Sequence, residues 1–286
     1  MVSPTAFLFA ILTAISWSVY ALVARTLIVK SDRPLAFVVL VNCFASLFGI
    51  LVLIVEGGVF AGITVVVILV TFISTVFSGV FEGLQIFVRK WLEASRSTVL
   101  SQLAPLVTFV GAVIILGESL TLFKSVGTGL IIVGNLVAAY RHSGALNRRS
   151  VFFALGAAAA LGGVYIADKF AAPHYPIGFY MVLSYFLPAL YIFLFVMPHE
   201  KVQQVVSEFR ATTWRLPILA FMGIFGYYLL LKTFRIAEAS SVIPIVYSST
   251  ILTTIGGIIL LKERNNIVQK LIGAAIVFAG VLILKY

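Results

Sequence analysis

Residues 93–118, EASRSTVLSQLAPLVTFVGAVIILGE, and residues 238–263, EASSVIPIVYSSTILTTIGGIILLKE, are two versions of one segment. Both open on Glu-Ala-Ser, run through an apolar stretch punctuated by hydroxyls and a proline, and close on a glutamate. At an offset of 145 positions Thr108 falls on Thr253, Gly111 on Gly256, Ile114 on Ile259, Leu116 on Leu261 and Glu118 on Glu263. The same offset places Val19-Tyr20 on Val164-Tyr165, and one added residue brings Gly127 and Gly134 onto Gly273 and Gly280. Apolar letters coincide by chance, but this chain has only 10 Asp and Glu residues, so glutamates recurring at both ends of the segment carry the argument. The chain is read as two homologous halves, residues 1–145 and 146–286.

The solvent of these halves follows from composition. Of 286 residues, 62% are apolar and 10% are charged, against about 45–50% and about 25% in soluble domains. With a mean hydropathy of +1.14, the excess apolar surface must face lipid. Runs of about 20 apolar residues, the length that spans a bilayer, lie near 5–24, 35–55, 63–88, 95–116, 120–140, 151–170, 177–197, 214–234, 240–261 and 267–284. Between the last residues of the seventh run and the eighth, Pro198 to Thr213 mixes charge with Val202, Val205, Val206 and Phe209, a pattern suited to a short helix on the membrane surface. The first run lacks a preceding Lys or Arg and is expected to stay in the protein as a span, not to be cleaved as a signal peptide.

Ten spans give five per half. Five is odd, so the second half enters the membrane with opposite orientation, and the expected fold is an all-α membrane protein of ten transmembrane helices arranged as two inverted five-helix repeats. Loops after the odd-numbered spans hold 15 of the 20 Lys and Arg residues, which predicts that both termini lie outside the cytoplasm. The net charge of +10 is read as loops held against anionic headgroups, with no nucleic-acid partner.

Several chemistries are excluded. The single cysteine, Cys43, supplies no thiolate cluster, and His142, His174 and His199 lie between spans, so no metal site is expected. Gly-x-Ser-x-Gly, Gly-x-x-x-x-Gly-Lys and His-Glu-x-x-His do not occur. No enzyme and no cofactor are expected.

Against this background the polar residues inside the spans stand out. Glu82 in the third span has Gln85 three residues on and Ser78 four residues back, giving one polar helix face. A carboxylate at mid-membrane costs at least about 2.5–3.5 kcal/mol and must be compensated. It reads either as a coupling site for a proton or cation and counter-charge for a cationic solute, or as a partner of Arg89 near the helix end. Tyr20 and Tyr165 are repeat mates with Trp17 beside the first, placed either as two walls of a shared cavity or in an interfacial aromatic belt. The fourth span offers Ser101, Gln102, Pro105 and Thr108; the ninth offers Tyr247, Ser248, Ser249, Thr250, Thr253 and Thr254. Trp17, Tyr20, Glu82, Gln85, Gln102, Tyr165, Tyr247, Ser248 and Thr253 form the expected solute-binding set. Asn42 reads as glue between helices. Lys169, after Asp168, and Lys232 end their spans; they snorkel to headgroups or turn inward as an anion site.

The five-plus-five plan, with Glu93-Ala94-Ser95 leading into a proline-containing helix, then Gly117-Glu118 and a glycine-spaced helix, resembles the drug/metabolite transporter superfamily in its EamA-like branch. The resemblance covers essentially the whole chain. It implies a secondary transporter in the cell (plasma or inner) membrane that moves a small-molecule solute such as an amino acid or amine by alternating access, as a monomer or weak homodimer. It also implies a cavity lined by spans 1, 3, 4, 6, 8 and 9, with spans 5 and 10 as scaffold. Organic anions or phosphorylated metabolites bound by Lys169 and Lys232 are the alternative cargo. A non-transporting membrane receptor or assembly partner is the alternative of another class. Two features depart from the family pattern: its ten-helix members place both termini in the cytoplasm, and the second Gly-Glu stands here as Lys262-Glu263.

Overall fold

The computed structural model describes residues 2–28, 33–91, 100–139, 148–197, 200–260 and 266–285. The helices are α1 (Pro4–Ile28), α2 (Pro34–Glu56), α3 (Val65–Trp91), α4 (Leu103–Ile115), α5 (Leu122–Ala139), α6 (Arg148–Ala171), α7 (Ile177–Tyr191), α8 (Lys201–Thr212), α9 (Arg215–Phe234), α10 (Ala239–Tyr247), α11 (Ser249–Leu260) and α12 (Ile267–Lys285). No strand occurs among the described residues. Nine spans there are long and apolar enough to cross a membrane, with Leu103–Ile115 a shorter apolar helix beside them. Large apolar side chains such as Val55, Ile114, Phe152 and Phe195 point outward, as a lipid-facing surface requires.

The helix pairings reproduce the repeat. Across the two halves α1 packs on α9, α3 on α6, α2 on α7, α4 on α10 and α5 on α12. Exchanging the halves turns the first pair into the second and each of the other three into itself. That is the pattern a pseudo-two-fold axis imposes.

Glycines set the distance of two of these contacts. A Cβ on Gly273 would lie 2.6 Å from the Gly134 carbonyl oxygen, and one on Gly280 would lie 2.8 Å from that of Gly127. The backbones of α5 and α12 therefore touch, the close approach that small residues permit in lipid. On α7, a Cβ on Gly178 would meet the Leu53 nitrogen of α2 at 2.2 Å.

Two spans are broken near mid-membrane. A turn at Ser248 separates α10 from α11, and a turn residue at Gln102 interrupts the helix ahead of α4. These breaks fall at almost equivalent positions in the two repeats. Asn135 of the scaffold helix α5 serves both: its Nδ2 donates to the Gln102 Oε1 at 3.0 Å and to the Tyr247 carbonyl at 3.2 Å. A carbonyl freed by a break has no water to turn to in the hydrocarbon region, so such a donor is a structural requirement.

The surface helix expected between Pro198 and Thr213 forms as α8. Its Val205 packs inward and its Phe209 stacks on Phe44 of α2 at 6.2 Å between ring centroids, while Val202 and Val206 stay exposed.

Two substitutions test this framework in thermal unfolding of the purified chain. Gly273→Val is expected to cost about 1–3 kcal/mol by forcing α5 and α12 apart. Asn135→Leu, which leaves the Tyr247 carbonyl without this donor, is expected to cost about 1–3 kcal/mol. Unchanged midpoints would remove the corresponding contact from the framework.

Candidate functional site: a cavity between the repeats

A cavity of about 440 Å³ lies where α1, α2, α3, α6, α7, α9 and the broken fourth and ninth spans converge. Its walls are aromatic. Trp17 stacks on Tyr165 with centroids 6.4 Å apart and an interplanar angle of 25°, and Tyr165 meets Tyr247 edge-on at 6.5 Å. Tyr185 meets Tyr227 edge-on at 5.4 Å. The rings of α1 are seated in notches on α9. A Cβ on Gly226 would lie 2.5 Å from Trp17, and one on Gly223 would lie 3.2 Å from Tyr20. The Trp17 Nε1 donates to the Gly223 carbonyl at 3.2 Å, and the Ser16 hydroxyl donates to the Met222 carbonyl at 2.7 Å. Ser18 donates to the Ser249 carbonyl at 2.8 Å, which fastens α1 to the start of α11.

The polar face predicted on the third span reaches the cavity intact: Ser78, Glu82 and Gln85 all line it. Asn42 Nδ2 donates to Glu82 Oε2 at 2.5 Å. Asn42 therefore acts as glue between α2 and α3 and as part of the wall. Among the described residues that line the cavity there is no Lys or Arg. A carboxylate set among ring faces is suited to a cationic or amino-bearing solute. No cluster of three or more potential metal ligands occurs among the described residues.

The geometry brings together Trp17, Tyr20, Glu82, Gln85, Tyr165 and Tyr247 from the expected set. The other three are placed elsewhere. Gln102 is 3% exposed and accepts from Asn135, outside the wall. Ser248 and Thr253 do not line the cavity; Ser249 and Thr250, just past the turn at Ser248, do. Spans 5 and 10 contribute nothing to the wall, as the scaffold role implies, whereas α2 and α7 do contribute, beyond the spans expected.

Lys169 and Lys232 do not converge as the anion site of the alternative cargo reading. Lys169 Nζ donates to the Ala237 carbonyl at 2.7 Å and to that of Phe234, covering the carbonyl-rich end of α9. Lys232 Nζ pairs with Glu56 at 2.8 Å. Neither lines the cavity.

In the sequence Asp168, followed by Lys169, reads as a charged helix end. In the fold it is fully buried and accepts from Ser74 Oγ at 2.5 Å, Tyr180 at 2.8 Å and Tyr227 at 2.8 Å. Its spacing three residues after Tyr165 was the available sign that it shares a helix face with a cavity residue.

One end of the bundle, where α2, α4, α6 and α9 finish, is fastened between the halves. Glu118 accepts from the Ala239 and Ser240 amides at 2.7 and 2.8 Å, capping α10. Glu238 accepts from the Ser119 hydroxyl at 3.2 Å and from Lys124 Nζ. Ala61 donates to the His174 carbonyl at 2.9 Å. Toward the opposite end lie most of the cavity residues of α1, α2, α3 and α9.

A family model described as the EamA-like transporter family matches the chain twice, over residues 4–140 and 148–286. No curated protein matches the chain in sequence. A solved structure described as "Crystal structure of protein" superposes with a TM-score of 0.73 at 16% identity, covering 97% of this chain and 95% of the other, a likeness of fold. With both of its repeats matched, the chain belongs to the EamA-like transporter family, and it is a multi-pass membrane transporter of the drug/metabolite type, not an enzyme.

Proposed function

We propose that the protein is a secondary transporter of the cell membrane that carries a small organic solute with an amino or cationic group by alternating access. The observation that carries this reading is Glu82, a carboxylate of α3 in the wall of an aromatic cavity between the two repeats. An aromatic face is worth about 0.5–2 kcal/mol to a cation, and a carboxylate supplies the charge complement. The commitment of Lys169 to carbonyls and of Lys232 to Glu56 speaks against anionic cargo in this cavity.

The fastened end fits a reversible gate. Exposed ion pairs contribute about 0.2–1 kcal/mol each, so Glu56 with Lys232 and Glu238 with Lys124 can hold an end shut without fixing it permanently. With that end closed, solute enters from the other, whose loops carry most of the Lys and Arg. By the charge rule that side is the cytoplasm.

Two experiments test this reading. In thermal-shift measurements amines, amino acids or quaternary amines are expected to stabilise the purified chain, by about 2.7 kcal/mol at 100 times the dissociation constant. That stabilisation, and flux of the same compound into vesicles, should be lost in Glu82→Gln. Stabilisation by sugar phosphates that survives Glu82→Gln would overturn the cargo class; binding without flux would favour a receptor. For the gate, Glu118→Ala removes the α10 cap, a loss of about 0.5–2 kcal/mol. Ser241 is buried just beneath that end, so in a Cys43→Ser background thiol labelling of Ser241→Cys should rise about two- to thirtyfold with Glu118→Ala. An unchanged labelling rate would exclude Glu118 from the gate.

A further inference from the structure

The buried carboxyl of Asp168 has a connection to the cavity that the cargo reading does not use. Three hydroxyls from three helices point at it: Ser74 of α3 and Tyr180 of α7 at Oδ1, and Tyr227 of α9 at Oδ2. Its hydrogen-bond partners among the described residues are these hydroxyls. A carboxylate inside a membrane bundle is ordinarily matched by a cation or carries a proton. Lys169, next in the chain, is turned away to the carbonyls of Phe234 and Ala237.

Tyr227 holds the key geometry. Its phenol oxygen lies 2.8 Å from Asp168 Oδ2 and 3.0 Å from Ser184 Oγ. A phenol has one proton, so it can donate to only one of them at a time. If Asp168 is ionised, Tyr227 donates to it and Ser184 donates to Tyr227. If Asp168 is protonated, it donates to Tyr227, which in turn donates to Ser184. Tyr227 and Ser184 both line the cavity.

We propose that Asp168 is a proton-binding site that exchanges its proton with the cavity through Tyr227 and Ser184. In uptake, a hydronium ion in the cavity gives its proton to Ser184 Oγ, Ser184 passes its own to Tyr227, and Tyr227 passes its own to Oδ2. Asp168 changes from anion to acid, water is left behind, and both hydroxyls end intact with their hydrogen bonds reversed. The charge gained is one proton.

The surroundings agree with a group that changes charge. The ionisable side chains that act on Asp168 are tyrosines: Tyr180 and Tyr185 from α7, Tyr227 from α9 and Tyr165 from its own helix. Tyr175 packs on Tyr180 and Tyr247 of α10 on Tyr165. From α3 come Ser74 and, acting on the shared neighbour Tyr185, Glu82; α4 has no ionisable residue between 103 and 115. The Ser74 bond crosses from the first repeat to the second, so the protonation state of Asp168 bears on the α3–α6 contact between the halves. As a coupling site this rests on the transport reading, whereas proton binding is measured in the protein at rest.

The test is pH-difference infrared spectroscopy of the full chain in lipid vesicles, between about pH 5 and about pH 9, without added solute. A carboxyl C=O band that rises and falls with pH is expected in the wild type, retained in Glu82→Gln and lost in Asp168→Asn. A titrating band that vanishes in Glu82→Gln and persists in Asp168→Asn overturns the proposal, as does a wild type with no titrating carboxyl. Tyr227→Phe keeps the carboxyl and removes the middle oxygen of the chain, so the band should shift in frequency and its response to a pH step should slow. An unchanged frequency and rate in that variant overturns the relay, whether or not Asp168→Asn folds. Flux plays no part in this readout, so a failed cargo assignment leaves it standing and the reverse also holds.

Discussion

A peptide group in the hydrocarbon region has no water to fall back on, so a span that breaks there must find its partners in another helix. In this bundle the fourth and ninth spans break at Gln102 and Ser248, and one side chain, Asn135, reaches both breaks with its two amide hydrogens. Asn135 can do so because α5 is locked onto α12 through backbone contact at Gly134 and Gly273. The scaffold is thus more than filler at the edge of the bundle. It supplies a donor to the Tyr247 carbonyl at the break in the ninth span and a bond to the Gln102 side chain at the break in the fourth, next to the wall residues Ser249 and Thr250.

Much of this was legible in the sequence because the informative letters are rare. Glutamates at both ends of the repeated segment, and glycines seven apart in the last span of each half, cannot be produced by apolar composition alone. They announce the duplication and the scaffold. The polar face of Ser78, Glu82 and Gln85 was equally plain, since helical spacing needs no tertiary knowledge. What was not legible depended on local breaks and on depth. Ser248 and Thr253 belong to the expected cavity set, yet it is their neighbours Ser249 and Thr250, past the turn at Ser248, that line the wall. Asp168 followed by Lys169 reads as a charged helix end. Only packing reveals that the lysine bends to the carbonyls of α9 while the carboxyl turns inward to three hydroxyls.

The fastened end gives the repeat a mechanical meaning. Glu118 and Glu238, which join the halves there, are the repeat mates of Glu263 and Glu93, which lie outside the described residues. On the alternating-access reading proposed above, each end needs a closure, and an inverted duplication can supply both from one segment. The two copies of the segment differ in sequence at this point: Gly117-Glu118 corresponds to Lys262-Glu263.

The two intramembrane carboxyls occupy different ground. Glu82 lies in the cavity wall beside an amide, open to whatever fills the space, whereas Asp168 is sealed behind Tyr227 and reached through a hydroxyl chain. A group open to cargo is suited to selecting charge, and one reachable only by protons is suited to counting them. Tyr185, which lines the cavity with Glu82, interacts electrostatically with both carboxyls. A negative charge on either raises the cost of a negative charge on the other in a medium of low dielectric. A cation neutralising Glu82 would therefore ease ionisation of Asp168 and release its proton. On the proposed reading, cargo binding at Glu82 and proton release from Asp168 would then be linked through electrostatics.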